Sequence, residues 1–127
     1  YVGYPALLWL VGRFRPPVRT PGDPAEWPLV TITVPVYNIG ARVRATLDHL
    51  LALDYPKDRL ELLVISDASS DDTDDVVREY AARGVQLLRL PQRSGKTVAE
   101  NAAARMARGE LLVNVDATIL IPRDSLK

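Results

Sequence analysis

The chain of 127 residues has no cysteine and a single histidine, His49. That excludes a disulfide framework, thiolate-held zinc, iron–sulfur clusters, a thiol nucleophile and any metal centre built from several histidines. Net charge is lacking too, because sixteen acidic residues cancel sixteen basic ones. No whole-chain field draws such a protein onto nucleic acid or an anionic surface, and no nucleic-acid partner is expected. With 47% apolar and 25% charged residues, the composition is that of a globular domain rather than a disordered chain. Chemistry in this sequence has to come from carboxylates, amides, hydroxyls and a few cations.

The chain starts at Tyr1 and stops at Lys127, and it is read as an excerpt of a longer protein. Residues 1–14 are almost wholly apolar up to Val11, yet a bilayer span needs about 20 such residues. Either they form a buried or signal-type element, or they are the end of a transmembrane helix. Arg13, Arg15 and Arg19 beside Tyr4, Trp9 and Phe14 favour the second, with the positive flank and everything after it on the cytoplasmic side of a membrane. Residues 15–28 hold five of the ten prolines and are expected to be an extended linker.

Residues 29–127 alternate β-rich runs with amphipathic stretches. Strands are expected at 29–34 (LVTITV), 60–66 (LELLVIS), 85–90 and 111–115. Between them, 41–51 carries Val43, Leu47, Leu50 and Leu51 on one helical face, 72–83 opens with acidic residues, and 97–107 is alanine-rich with Gly109 as its C′ glycine. The alternation predicts an α/β fold: a mostly parallel sheet with helices on both faces.

Ligands of open α/β sheets bind outside the carboxyl ends of the strands, and each expected strand here is followed by a polar cluster. These are Pro35-Val36-Tyr37-Asn38, Asp67 to Thr73, Arg93-Ser94-Gly95-Lys96, and Asp116-Ala117-Thr118. Each alone has a bland reading: Asn38 as a loop amide, Ser70 or Asp71 as a helix cap, Gly95 as a turn. Four on one edge point to a binding site, and the inventory suits a nucleoside diphosphate. Tyr37 offers a base a stacking surface, Asp67 accepts from base or ribose, and Lys96 meets a phosphate. Asn38, Ser69 and Asp71 add polar contacts. Asp116 is a natural ligand for Mg²⁺ or Mn²⁺, which prefer carboxylate and phosphate oxygen together.

Other motifs do not fit. Gly95-Lys96-Thr97 resembles the end of a P-loop, but the earlier glycine is replaced by Leu90. No G-x-G-x-x-G follows a strand and no G-x-S-x-G occurs. His49, mid-helix among apolar neighbours, is expected at a boundary rather than in a triad.

The segments ITVPVYN, DYPKDRLELLVISDASSDDT, SGKTVAENAA and RGELLVNVDAT, in that order, resemble the family 2 glycosyltransferases over residues 30–126. The resemblance implies the nucleotide-binding half of a GT-A fold. It further implies transfer of a sugar from a nucleotide-diphosphate donor, with a UDP-sugar favoured, to a polysaccharide or lipid acceptor, with inversion and a divalent metal. Residues matching Pro35, Tyr37 and Asp67 then line the base and ribose pocket, Lys96 lies near the nucleotide, and Asp116 begins the D-x-D motif. The catalytic base is expected beyond Lys127, so the chain alone is expected to be inactive. Two departures stand out. Ala68 replaces a common glycine, a mild change where the backbone has negative φ. Thr118 replaces the last carboxylate of D-x-D, leaving a weaker, uncharged metal ligand. The alternatives are a nucleotide-binding regulatory module with lost catalysis and a non-enzymatic α/β interaction domain.

Overall fold

A computed structural model describes residues 3–13 and 22–127. Four strands, β1 (Val30–Val36), β2 (Leu60–Ser66), β3 (Val85–Arg89) and β4 (Leu111–Asn114), form one sheet of order β3-β2-β1-β4. All three pairings are parallel, with Val30 opposite Leu60 and Leu111, and Leu62 opposite Val85. Helix α1 (Gly3–Arg13) precedes the sheet, and α2 (Val43–Leu51), α3 (Thr73–Arg78) and α4 (Lys96–Met106) cross between strands.

A parallel strand covered on both faces has to be apolar on both, and β2 is: Leu62 and Val64 join the side of α2 and α3, Leu63 and Ile65 the side of α4. The first face packs Ile32, Val34, Leu47, Leu50 and Val77, each at most 1% exposed. The second is thinner, with Ala99 and Ala103 of α4 lying directly on Leu63 and Ile65. Alanine lets that helix approach the sheet closely, which brings its amino end to the strand tips.

Where the second face is polar, its groups are satisfied. Glu61 accepts from the Thr31 hydroxyl at 2.6 Å, from the amide and Nε of Arg108 at 3.0 and 2.8 Å, and from Gln86 at 3.1 Å. Burial pushes this carboxyl up, but the four donors outweigh it and bring it down to about 2.

Three expectations need correction. The helix expected over 72–83 is shorter: α3 ends at Arg78, and a 3-10 turn, Ala81–Arg83, follows, closed by Gly84 in the left-handed region at φ +86°. Gly109 is not a C′ glycine. Helix α4 stops at Met106 with Ala107 extended, and Gly109 lies where its loop presses on β1: a Cβ there would sit 2.5 Å from the Thr31 amide nitrogen. The condition that made Ala68 a mild change also fails, since its φ is +57°.

Residues 14–21, which include half of the proline-rich stretch and three of its five prolines, lie outside the described residues. Residues 22–28 carry no helix or strand, and the Tyr55 hydroxyl pins their end by donating to the Pro28 carbonyl at 2.6 Å. Helix α1 leaves Tyr4, Leu7, Trp9 and Leu10 exposed. Among the described residues, no helix is long and apolar enough to cross a membrane.

Candidate functional site

Because the sheet is wholly parallel, the carboxyl ends of all four strands share one edge, and the loops leaving them converge there. Pro35 and Val36 at the end of β1, Tyr37 just after it, Asp67 just after β2, Arg93 and Gly95 from the β3–α4 connection, Lys96 and Ala99 from α4, and Asp116 after β4 enclose a cleft of about 200 Å³. Of the site residues expected from sequence, Pro35, Tyr37, Asp67, Lys96 and Asp116 are thus brought together.

Asp67 is 6% exposed. One of its oxygens accepts the Ser94 amide at 2.7 Å and the other the Gly95 amide at 2.8 Å. Both bonds are charge-assisted, and they draw the β3–α4 loop down over the end of β2. Gly95, at φ +87° and ψ 163°, is the residue that lets the chain turn there into α4. The carboxylate therefore sets the loop's position while forming part of the cleft's lining.

Tyr37 stands at the mouth. The Arg93 guanidinium lies 4.1 Å from its ring centroid, within cation–π range. Sequence reasoning placed Arg93 in the third polar cluster and gave it no role. The usable signal was a cation two residues before a turn glycine, on the edge that carries the other polar clusters.

Opposite them, Asp116 closes the cleft. Its Oδ1 accepts the Thr118 amide at 3.2 Å and the Thr118 hydroxyl at 3.0 Å, and its Oδ2 lies 3.5 Å from Lys96 Nζ. The Thr118 amide and hydroxyl bonds, with the Lys96 charge behind them, hold the carboxyl below the usual range. Thr118 orients Asp116 in this arrangement.

Asn38, Ser69 and Asp71 lie outside the lining of the cleft and brace the loops behind it. Asn38, in the left-handed region at φ +47°, accepts the Ser70 amide at 2.7 Å and donates to the Ser70 hydroxyl at 3.2 Å. Its own amide donates to the Ser69 hydroxyl at 3.2 Å. Asp71 accepts both the amide and the hydroxyl of Thr73, and the Thr73 hydroxyl in turn accepts the amides of Ile39 and Gly40. His49 sits at the boundary of α2, its ring nitrogen against the Ile121 carbonyl, and is not part of the lining of the cleft.

The donors at the β4 end suit a hard divalent cation in part. Asp116 offers a half-exposed carboxylate whose Oδ2 faces the cleft with Lys96 as its neighbour. Among the described residues, no three acidic or histidine side chains gather into a cage. Such a site fits a cation that takes the rest of its shell from diphosphate and water.

The family model for glycosyl transferase family 2 matches residues 31–127. A probable glycosyltransferase of Bacillus subtilis, YdaM, is 34% identical over 97 residues, covering 72% of this chain and 23% of its own length. Among solved structures, the Pyrobaculum calidifontis mannosyltransferase PcManGT, in complex with GDP-Man and Mn²⁺, superposes with a TM-score of 0.79 at 37% identity, covering 95% of this chain and 37% of that one. Staphylococcus aureus TarS in complex with UDP-GlcNAc gives 0.66 at 30% identity, over 69% of this chain and 26% of that one. The chain therefore spans well under half of each of these relatives. A parallel sheet with its polar loops on one edge, and a family model matched over nearly all of the folded part, place the chain in glycosyl transferase family 2.

Proposed function

We propose that the cleft binds the nucleoside diphosphate of a sugar donor, and that the intact protein is a glycosyltransferase moving that sugar to a polysaccharide or lipid acceptor. The observation that carries this is the convergence of an aromatic ring, two carboxylates and two cations from four separate loops on one cleft. The similar proteins whose structures hold GDP-Man or UDP-GlcNAc support it.

In this reading Tyr37 and the Arg93 guanidinium give the base a flat, charged surface. Asp67, fixed by the loop amides, accepts from base or ribose. Lys96 meets a phosphate as a point charge. Asp116, steered by Thr118, would hold Mg²⁺ or Mn²⁺, and such a cation would supply charge stabilisation to a departing diphosphate. An acceptor hydroxyl forms the new bond at the anomeric carbon as the bond to the diphosphate breaks, with inversion, and its proton passes to a base outside this chain. Helix α1, with Tyr4, Leu7, Trp9 and Leu10 exposed and Arg13 lying 5.4 Å over Trp9, is read as part of a membrane segment, with the domain on the cytoplasmic side.

Calorimetric titration of UDP and GDP with and without Mn²⁺ tests the binding part. Binding strengthened by Mn²⁺ and weakened in Asp116→Asn is expected. Binding indifferent to metal favours the regulatory module, and no binding of either nucleotide removes the reading.

A further inference from the structure

The ammonium of Lys96 and the carboxylate of Asp116 pair with each other in the lining of the cleft. The lysine belongs to the first turn of α4, the positive end of the helix, where a cation is disfavoured. What offsets this in the structure is Oδ2 of Asp116, 3.5 Å from Nζ. The other oxygen, Oδ1, is already engaged twice by Thr118. The oxygen left for a metal is therefore the one that Lys96 neutralises. Both side chains are about half exposed, at 59% and 44%, and pairs of this kind are weak enough to open readily.

We propose that Lys96 is the resident counter-ion of the site: it competes with the divalent cation for Asp116, so the cation loads well only when a diphosphate draws the ammonium away. This rests on the nucleotide reading above and adds to it a mechanism for interdependent loading. Metal alone meets one carboxylate already paired with a cation. Metal arriving with a diphosphate meets a free Oδ2 plus phosphate oxygens, while Lys96 gains a phosphate partner in exchange. By linkage, the factor by which nucleotide tightens metal equals the factor by which metal tightens nucleotide.

The distinguishing result is a pair of opposite changes from one substitution. Mn²⁺ binding without nucleotide, followed by the paramagnetic resonance signal of free Mn²⁺, is expected to tighten in Lys96→Met by about threefold to tenfold, the size of removing one half-screened like charge. UDP binding without metal is expected to weaken severalfold in the same variant. Lys96→Gln should repeat both changes, Lys96→Arg should stay near wild type, and Asp116→Asn should remove the Mn²⁺ gain when combined with Lys96→Met. No gain in Mn²⁺ binding by Lys96→Met over wild type, including the case where neither binds, overturns the proposal. The nucleotide reading fails separately, if UDP and GDP bind wild type neither with nor without metal.

Discussion

Asp67 holds the loop that follows β3 by accepting the amides of Ser94 and Gly95, one on each carboxylate oxygen. A residue placed by its sequence position as a nucleotide contact is therefore also the anchor of the loop that carries Arg93 and Lys96. Asp67→Asn keeps the shape but turns an amide N–H₂ toward a backbone donor. A stability loss of about 1–3 kcal/mol is expected, as for a buried polar group left without its partner. Faster hydrogen exchange at Ser94 and Gly95 and weaker UDP binding should accompany it. Unchanged exchange at both amides would show that the loop holds itself.

Ala68 occupies the left-handed region at φ +57°, where a Cβ costs roughly 1–2 kcal/mol. Ala68→Gly removes that strain and gives back part of the gain through the larger freedom of glycine in the unfolded chain. A net stabilisation of about 0.5–1 kcal/mol is expected by denaturant titration, with UDP affinity retained. A destabilised variant would mean that the Ala68 methyl packs for more than its backbone strain costs.

The two cases mark what could be read from the sequence. Strand positions were legible because parallel strands covered on both faces must be apolar runs such as LELLVIS, and the expected 60–66 is the observed β2. The shared edge of the polar loops followed from parallel order alone. Less legible was anything set by backbone sign or by contact across loops. The left-handed turn at Ala68 leaves no trace in composition. Gly109 looked like a helix stop, yet it is small because Thr31 lies against it. Arg93 was one cation among many until Tyr37 was seen beneath it. Thr118 read as a degraded metal ligand, whereas its amide and hydroxyl both serve Asp116.

Acid should also act on the opposite end of the sheet, where Glu61 lies. Against the upward push of burial, the hydrogen bonds from Thr31, Arg108 and Gln86 bring Glu61 down to about 2 in the folded chain, against an ordinary value of 4.5. A depressed carboxyl stabilises above its unfolded pKa and loses that contribution as pH falls through the folded one. The contribution of about 3 kcal/mol is therefore full at neutral pH and fades between pH 4.5 and about 2. Denaturant unfolding of wild type and Glu61→Gln across this range should show a gap that narrows as pH drops. A gap constant with pH would mean that Glu61 acts through shape alone.

Thr118 offers the sharpest test of the β4 loop, because its hydroxyl lies 3.0 Å from Asp116 Oδ1. Thr118→Asp replaces a donor to that carboxylate with a second negative charge beside it. Without metal the pair repels, so one carboxyl is pushed up and the chain is expected to lose stability near neutral pH. With Mn²⁺ the sign reverses, since a hard cation gains from each added anionic oxygen. Metal should then bind more tightly and restore the lost stability. Turnover in the intact protein need not rise with it, because a metal held more firmly slows release of the diphosphate. Thermal unfolding of wild type, Thr118→Asp and Asp116→Asn in EDTA and in Mn²⁺ reads both halves at once. If Thr118→Asp is as stable as wild type in EDTA and gains nothing from Mn²⁺, the loop after β4 does not face a cation, and Asp116 is left with the Lys96 charge and the ribose as its partners.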